Sequence, residues 1–217
     1  MIVSGGDAPD CAFLKEKAGK ARMVIAADKG AEYCLEAGIR PDLVVGDMDS
    51  ISAAASDELL RSGVPLIKYD PCKDRTDTQL ALEEAYRQGA RSVELVAATG
   101  DRFDHSLANV QLLYDARSRG VDVSILSPKS RIFLVDSRYA VSSMRGATVS
   151  LLPLTMEVEG LTLTGFRWTL KNALMKMGNP YGISNRVVSE EALIEVRSGV
   201  LVVELFFLAE HEGGDNG

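Results

Sequence analysis

Over its first 126 residues the chain alternates short apolar runs with helix-forming stretches, and this rhythm restricts the fold more than any other feature. The apolar runs lie in MIVSGG, RMVIAADKG, PDLVVGDMDS, VPLIKYD, SVELVAATG and VDVSILS. Between them, residues 31–37, 54–61, 76–88 and 104–119 carry helix formers and close on a nearby glycine. Leu107, Val110 and Tyr114 have the i, i+3, i+7 spacing expected of one buried helical stripe. Strands that are apolar throughout need both faces covered, which a parallel sheet with helices on either side provides. The expectation for residues 1–128 is a doubly wound α/β domain that binds ligands beyond the carboxyl ends of its strands.

The rhythm then changes. RIFLVD, ATVSLLPL, VEGLTLTG, ALIEVRSG and VLVVELFFLAE are β-rich runs separated by glycines and polar turns. Residues 129–217 are expected to form a smaller all-β, sandwich-like domain, with room for a helical turn within 168–176 and a frayed polar tail at 211–217. With 46% hydrophobic and 25% charged residues the composition is that of a globular protein, and no apolar run approaches the ~20 residues of a membrane span. The opening MIVSGGDAPD reads as a strand running into glycines, not as a secretory leader, so a cytoplasmic location is expected. Cys11, Cys34 and Cys72 are widely spaced and form no C-x-x-C pair, which favours reduced structural thiols over a disulfide framework or zinc site. A net charge of −7 argues against tracking a nucleic-acid backbone, which depends on Lys and Arg neutralising phosphates. If phosphates bind, a cation mediates.

Three short blocks carry chemistry, each where a strand hands over to a helix or loop. In Gly46-Asp47-Met48-Asp49-Ser50 the two aspartates are two apart, so on an extended segment both carboxylates aim the same way. Two such groups about 4 Å apart repel by roughly 4 kcal/mol at an effective dielectric near 20. Mg²⁺ is the natural neutraliser, since it takes hard oxygen ligands, keeps waters and bridges to phosphates. A solvated acidic turn is the plainer alternative for this motif alone. Lys73-Asp74-Arg75-Thr76-Asp77-Thr78 opens a helix that Asp74 or Thr76 can cap, and concentrates charge where backbone N–H groups also favour phosphate. Gly100-Asp101-Arg102-Phe103-Asp104-His105 adds the planar guanidinium of Arg102, a further acid in Asp104, and His105 as proton carrier, ligand contact or plain cap. Ala27-Asp28-Lys29-Gly30 contributes one more acid at a strand end. Neither G-x-x-x-x-G-K-[ST] nor G-x-G-x-x-G occurs, so a nucleotide must be held another way.

Taken in order, GDMDS, KDRTD, GDRFDH and Gly182-Ile183-Ser184-Asn185 resemble the motifs of the thiamine pyrophosphokinase family, and the resemblance spans nearly the whole chain. It implies transfer of pyrophosphate from ATP to the hydroxyl of thiamine, giving thiamine diphosphate and AMP. It also implies Asp47, Asp49 and Asp77 as Mg²⁺ ligands, with Asp104 near the reacting groups. By the same resemblance Asp28, Ser50, Lys73, Asp74, Thr76, Arg102 and His105 surround the nucleotide, and Trp168, Ser184 and Asn185 hold thiamine. A tryptophan face suits a cationic thiazolium beside a flat pyrimidine, worth roughly 0.5–2 kcal/mol; a Trp buried in the β-domain core is the alternative. The resemblance further implies a homodimer with its active site between the N-terminal half of one subunit and the C-terminal half of the other. Two positions depart from the family pattern: Lys29 replaces a common second glycine, and Arg186 follows Asn185 where an acid is usual. A Mg²⁺-dependent nucleotide or phosphoester hydrolase and a non-catalytic thiamine or nucleotide sensor are the competing readings.

Overall fold

The structure, a computed structural model, describes residues 1–70 and 74–208. Cys72, Lys73 and the expected frayed tail 211–217 lie outside the described residues. The chain divides into two compact units, Met1–Pro128 and Lys129–Gly217.

In the first unit, β1 (Ile2–Val3), β2 (Ile25–Ala27), β3 (Leu43–Gly46), β4 (Leu66–Lys68), β5 (Ser92–Val96) and β6 (Asp122–Leu126) pair in parallel. Their order is β6-β5-β1-β2-β3-β4. Among the described residues five helices connect them: α1 (Cys11–Lys20), α2 (Gly30–Glu36), α3 (Ala53–Arg61), α4 (Asp77–Arg87) and α5 (Phe103–Ser118). The doubly wound expectation holds for this half. β1, β2 and β3 are wholly buried, as strands covered on both faces must be. Side-chain caps start three helices, with Asp10, Ser52 and Thr76 each accepting a hydrogen bond from a backbone N–H three residues on. Strand order reverses at β1, which runs to β2 on one side and borders β5 on the other, and this creates a crevice beyond the strand ends.

Two details depart from expectation. α1 was not foreseen, because CAFLKEKAGK buries only Leu14 and shows no apolar stripe. On α5 the buried residues are Asn109, Leu113 and Ala116, whereas Leu107 and Tyr114 are exposed. The inward stripe begins with a polar residue whose amide donates to the Ala98 carbonyl at 2.7 Å, so hydrophobic spacing alone picks the wrong face.

The second unit is antiparallel. One set of strands runs β12 (Asn185–Arg186), β9 (Thr148–Pro153), β14 (Leu201–Phe206), β7 (Ser130–Val135); the other runs β11 (Leu170–Lys176), β10 (Glu157–Thr164), β13 (Glu191–Glu195), β8 (Arg138–Ser142). Phe133, Leu151, Leu163, Met175, Ile194 and Val203, drawn from both sets, share one apolar core, which is the sandwich-like arrangement expected. The helical turn expected within 168–176 is instead strand β11. Its inward alternation is hidden because Met175 alone is fully buried and Asn172 sits in the left-handed region at φ 49°. Among the described residues no helix is long and apolar enough to cross a membrane. Cys11 and Cys34 are free thiols, and burial pushes the Cys34 thiol up to about 12.

Candidate active site

A cavity of about 510 Å³ opens beyond the carboxyl ends of the parallel strands of the first unit. Parallel pairing of β2 with β3 sets Ala27 beside Val45, and the Asp28 N–H donates to the Val45 carbonyl at 2.9 Å. Asp28 therefore emerges next to Asp47 and Asp49, which follow β3. One carboxylate oxygen from each of Asp28, Asp47 and Asp49 lies within 4.8 Å of the others. The Asp49 N–H donates to Asp47 Oδ1 at 3.2 Å, and the Ser50 hydroxyl donates to Asp49 Oδ1 at 2.9 Å. Asp28 at φ 46° and Met48 at φ 68° both occupy the left-handed region, so backbone strain is concentrated where the carboxylates meet.

Asp28 is buried, and its Oδ1 has no hydrogen-bond partner. Burial raises its carboxyl above the ordinary range, and the charges of Asp77, Asp47 and Asp49 push the same way, against a lowering by the Ser50 hydroxyl. An unpaired buried oxygen beside two further carboxylates offers the hard oxygen ligands that a divalent cation such as Mg²⁺ takes.

Thr76, Asp77 and Thr78 reach the same cavity from the start of α4, and the buried Thr78 hydroxyl donates to Ser4 Oγ at 3.0 Å. Asp101, Arg102 and His105 reach it from the segment after β5. The loop after β1 crosses close by. A Cβ on Gly6 would lie 2.3 Å from the Thr99 carbonyl, and one on Gly30 would lie 1.9 Å from the Val3 carbonyl, so only glycine allows these backbones to approach.

The sequence-derived set thus separates. Asp28, Asp47, Asp49, Ser50, Thr76, Asp77, Arg102 and His105 line one cavity. Asp77 is outside the close trio, whose third member is Asp28; the adjacency of β2 and β3 that brings it in is not a sequence property. Asp74 is exposed and away from the lining. Asp104 is not among the lining residues either, although its neighbours Arg102 and His105 are; it sits at the rim in an exposed ion pair with Arg102 at 2.6 Å that holds its carboxyl below the ordinary range. Lys73 lies outside the described residues. Ser4, Asp7, Ser106 and Asn109 also line the cavity and were not singled out from sequence, although the Gly5-Gly6 pair after an apolar strand signals a ligand loop.

In the second unit the expected thiamine residues cluster. Trp168 is 56% exposed, which overturns the buried-core alternative, and the Arg167 guanidinium lies 5.2 Å from its ring centroid. Asn185 is buried. Its Oδ1 accepts from the Trp168 N–H at 3.1 Å and the Arg186 N–H at 2.8 Å, while its Nδ2 donates to the Trp168 carbonyl at 2.7 Å. The side chain fixes the backbone that carries the indole. Ser184 is exposed at φ 59°, its N–H donating to Ser150 Oγ at 3.1 Å.

These features coincide with two family models. One, described as thiamin pyrophosphokinase, catalytic domain, matches residues 14–125, and the other, the vitamin B1 binding domain, matches residues 136–201. The chain belongs to the thiamine pyrophosphokinase family. Within that family it is 28% identical over 204 residues to thiamine pyrophosphokinase of Bacillus subtilis, covering 93% of this chain and 95% of that one. The crystal structure of the Bacillus subtilis protein superposes with a TM-score of 0.84 at 26% identity, covering 95% and 98% of the two chains. That of the Geobacillus thermodenitrificans thiamin pyrophosphokinase also gives 0.84, at 29% identity with 96% and 97% covered.

Proposed function

We propose that this member of the thiamine pyrophosphokinase family transfers pyrophosphate from ATP to the hydroxyl of thiamine, giving thiamine diphosphate and AMP. The observation that carries the reading is the trio of Asp28, Asp47 and Asp49 at the strand ends, with a buried carboxylate oxygen left without a hydrogen bond, inside the region matched by the family's catalytic model.

Asp28, Asp47 and Asp49 would hold Mg²⁺, and a bound Mg²⁺ supplies charge neutralisation to phosphate oxygens. The chain's own residues do the rest. Arg102 meets phosphate from the β5 side, while Ser50, Thr76 and His105 offer polar contacts around it. The thiamine oxygen forms a bond to the β-phosphorus as the bond from that phosphorus to the oxygen bridging it to the α-phosphorus breaks, and AMP departs with that oxygen and the electron pair. The hydroxyl proton passes to a carboxylate. Asp77 is the acceptor favoured here, because it lines the cavity outside the trio, whereas Asp104 is turned into its ion pair with Arg102. Thiamine is assigned to the exposed face of Trp168, with Asn185 as the residue that positions it. A homodimer with shared sites and a cytoplasmic location belong to the same proposal.

Incubation with thiamine, ATP and Mg²⁺, with nucleotides and thiamine esters resolved by chromatography, tests it. AMP and thiamine diphosphate should form one for one. ADP or free phosphate released without regard to thiamine would instead support the hydrolase reading, and tight binding without AMP the sensor.

A further inference from the structure

The cavity poses a charge problem. Its described lining includes the carboxylates of Asp7, Asp28, Asp47, Asp49, Asp77 and Asp101, while its unambiguously cationic side chains are Lys29 and Arg102. A polyphosphate entering this field is repelled wherever no cation intervenes. Arg102 is partly spent, since its guanidinium contacts both oxygens of Asp104, at 2.6 and 3.3 Å. Among the described residues the Lys29 ammonium is held by no carboxylate contact as short as that of Arg102; its charge attracts Glu32, a lesser cause of that carboxyl's lowering than the Ser52 hydrogen bonds.

Its position is nonetheless defined. Lys29 Nζ lies over the ring of Tyr33, 5.7 Å from the centroid, one helical turn along the same face of α2. Tyr33 is buried, and its hydroxyl donates to the Gly6 carbonyl at 2.8 Å, which ties the aromatic platform to the loop after β1. The backbone at Lys29 is ordinary right-handed helix, at φ −51° and ψ −25°. No glycine is needed there, in contrast to Gly30 next to it, so a long side chain enters the cavity without strain.

Resting on the ATP-dependent reading above, we infer that Lys29 is a phosphate-binding residue for the nucleotide, supplying a positive charge on the same strand end as Asp28. A flexible stem with three rotatable donors acts as a point charge that follows phosphate oxygens, a charge that a guanidinium on an equally flexible stem also supplies. Binding ATP through Lys29 leaves the thiamine subsite untouched.

Lys29→Met and Lys29→Arg variants test this by steady-state kinetics in both substrates and by calorimetric titration of ATP with Mg²⁺, which needs no turnover. Loss of a charge-assisted contact should raise the ATP KM and Kd of Lys29→Met about ten- to hundredfold. Lys29→Arg should recover most of that affinity, with thiamine KM unchanged in both and melting temperatures at the parent value, since Lys29 is exposed. Parent-like ATP affinity in Lys29→Met, or an equal loss in Lys29→Arg, overturns the assignment. If the parent makes no thiamine diphosphate yet Lys29→Met still binds ATP more weakly, the catalytic reading fails while the Lys29 site stands.

Discussion

In the first unit, Asp28, Asp47, Asp49 and Asp77 arrive from segments after three different strands and meet in one cavity; in the second, one exposed indole is fixed by one buried amide. The first arrangement stores unfavourable energy. Like charges converge, Asp28 is buried with an unpaired oxygen, and two non-glycine residues take left-handed backbone. The second has one left-handed residue, Ser184, but its buried polar group is satisfied, because the three hydrogen bonds of Asn185 hold both the fold and the Trp168 backbone. A parallel sheet makes the first possible, since neighbouring strand ends gather groups distant in sequence. The sandwich makes the second possible, since an edge strand can place a buried side chain beneath an exposed one. Chemistry that needs charge is assigned to the strained site, and recognition of a flat cation to the satisfied one.

The largest effect expected from this contrast is at the aspartates. Asp47→Asn and Asp49→Asn should each lower turnover by about 10²–10³-fold at limiting Mg²⁺, the scale of losing one preorganised electrostatic contact. Wild-type turnover would remove the metal role. Asp28→Asn should lose activity as well, yet raise the melting temperature of the metal-free protein. The sign follows from its raised carboxyl: the folded state keeps that proton to higher pH than the unfolded chain, so stability falls as pH climbs from the ordinary carboxylate value through the raised one. The substitution abolishes this loss, and thermal melts from pH 4 to 8 without metal would show it. A lower melting temperature at neutral pH would mean that Asp28 is not strained.

Asn185→Ala should act in the opposite sense. Leaving the Trp168 and Arg186 N–H groups unpaired costs about 1–3 kcal/mol, which for a chain of this size is roughly 2–4 °C of melting temperature per kcal/mol, and thiamine KM should rise with it. Trp168→Ala should raise thiamine KM by about 2–30-fold, from a stacking and cation–π loss of roughly 0.5–2 kcal/mol, without moving the melting temperature or the ATP KM. A destabilised Trp168→Ala would return the indole to a structural role. The smallest effect belongs to Asp104→Asn, which should change turnover by roughly threefold at most, since an exposed ion pair contributes little. A loss as large as that of Asp47→Asn would bring Asp104 back among the reacting groups.

Much of this was legible in the sequence. All six apolar runs of the first half are strands, and the glycine-closed stretches between them are helices, because pattern and propensity agree there. α1 and the buried face of α5 were not legible: one buries a single leucine, and the other leads with Asn109. The acidic motifs located the cavity but not its inner grouping. Asp28 joins Asp47 through strand adjacency, and Asp74 and Asp104, close in sequence to cavity residues, turn to solvent. Likewise the sequence marked Asn185 near Trp168 without revealing that its amide is spent on the backbone.

The division of labour between the units is tested most directly by following the fluorescence of Trp168, the single tryptophan of the chain, during thiamine titration of the parent and of Asp47→Asn. A saturable change with the same midpoint in both proteins is the predicted result. No change in the parent, or a change that disappears with Asp47, would contradict the assignment of thiamine to the second unit.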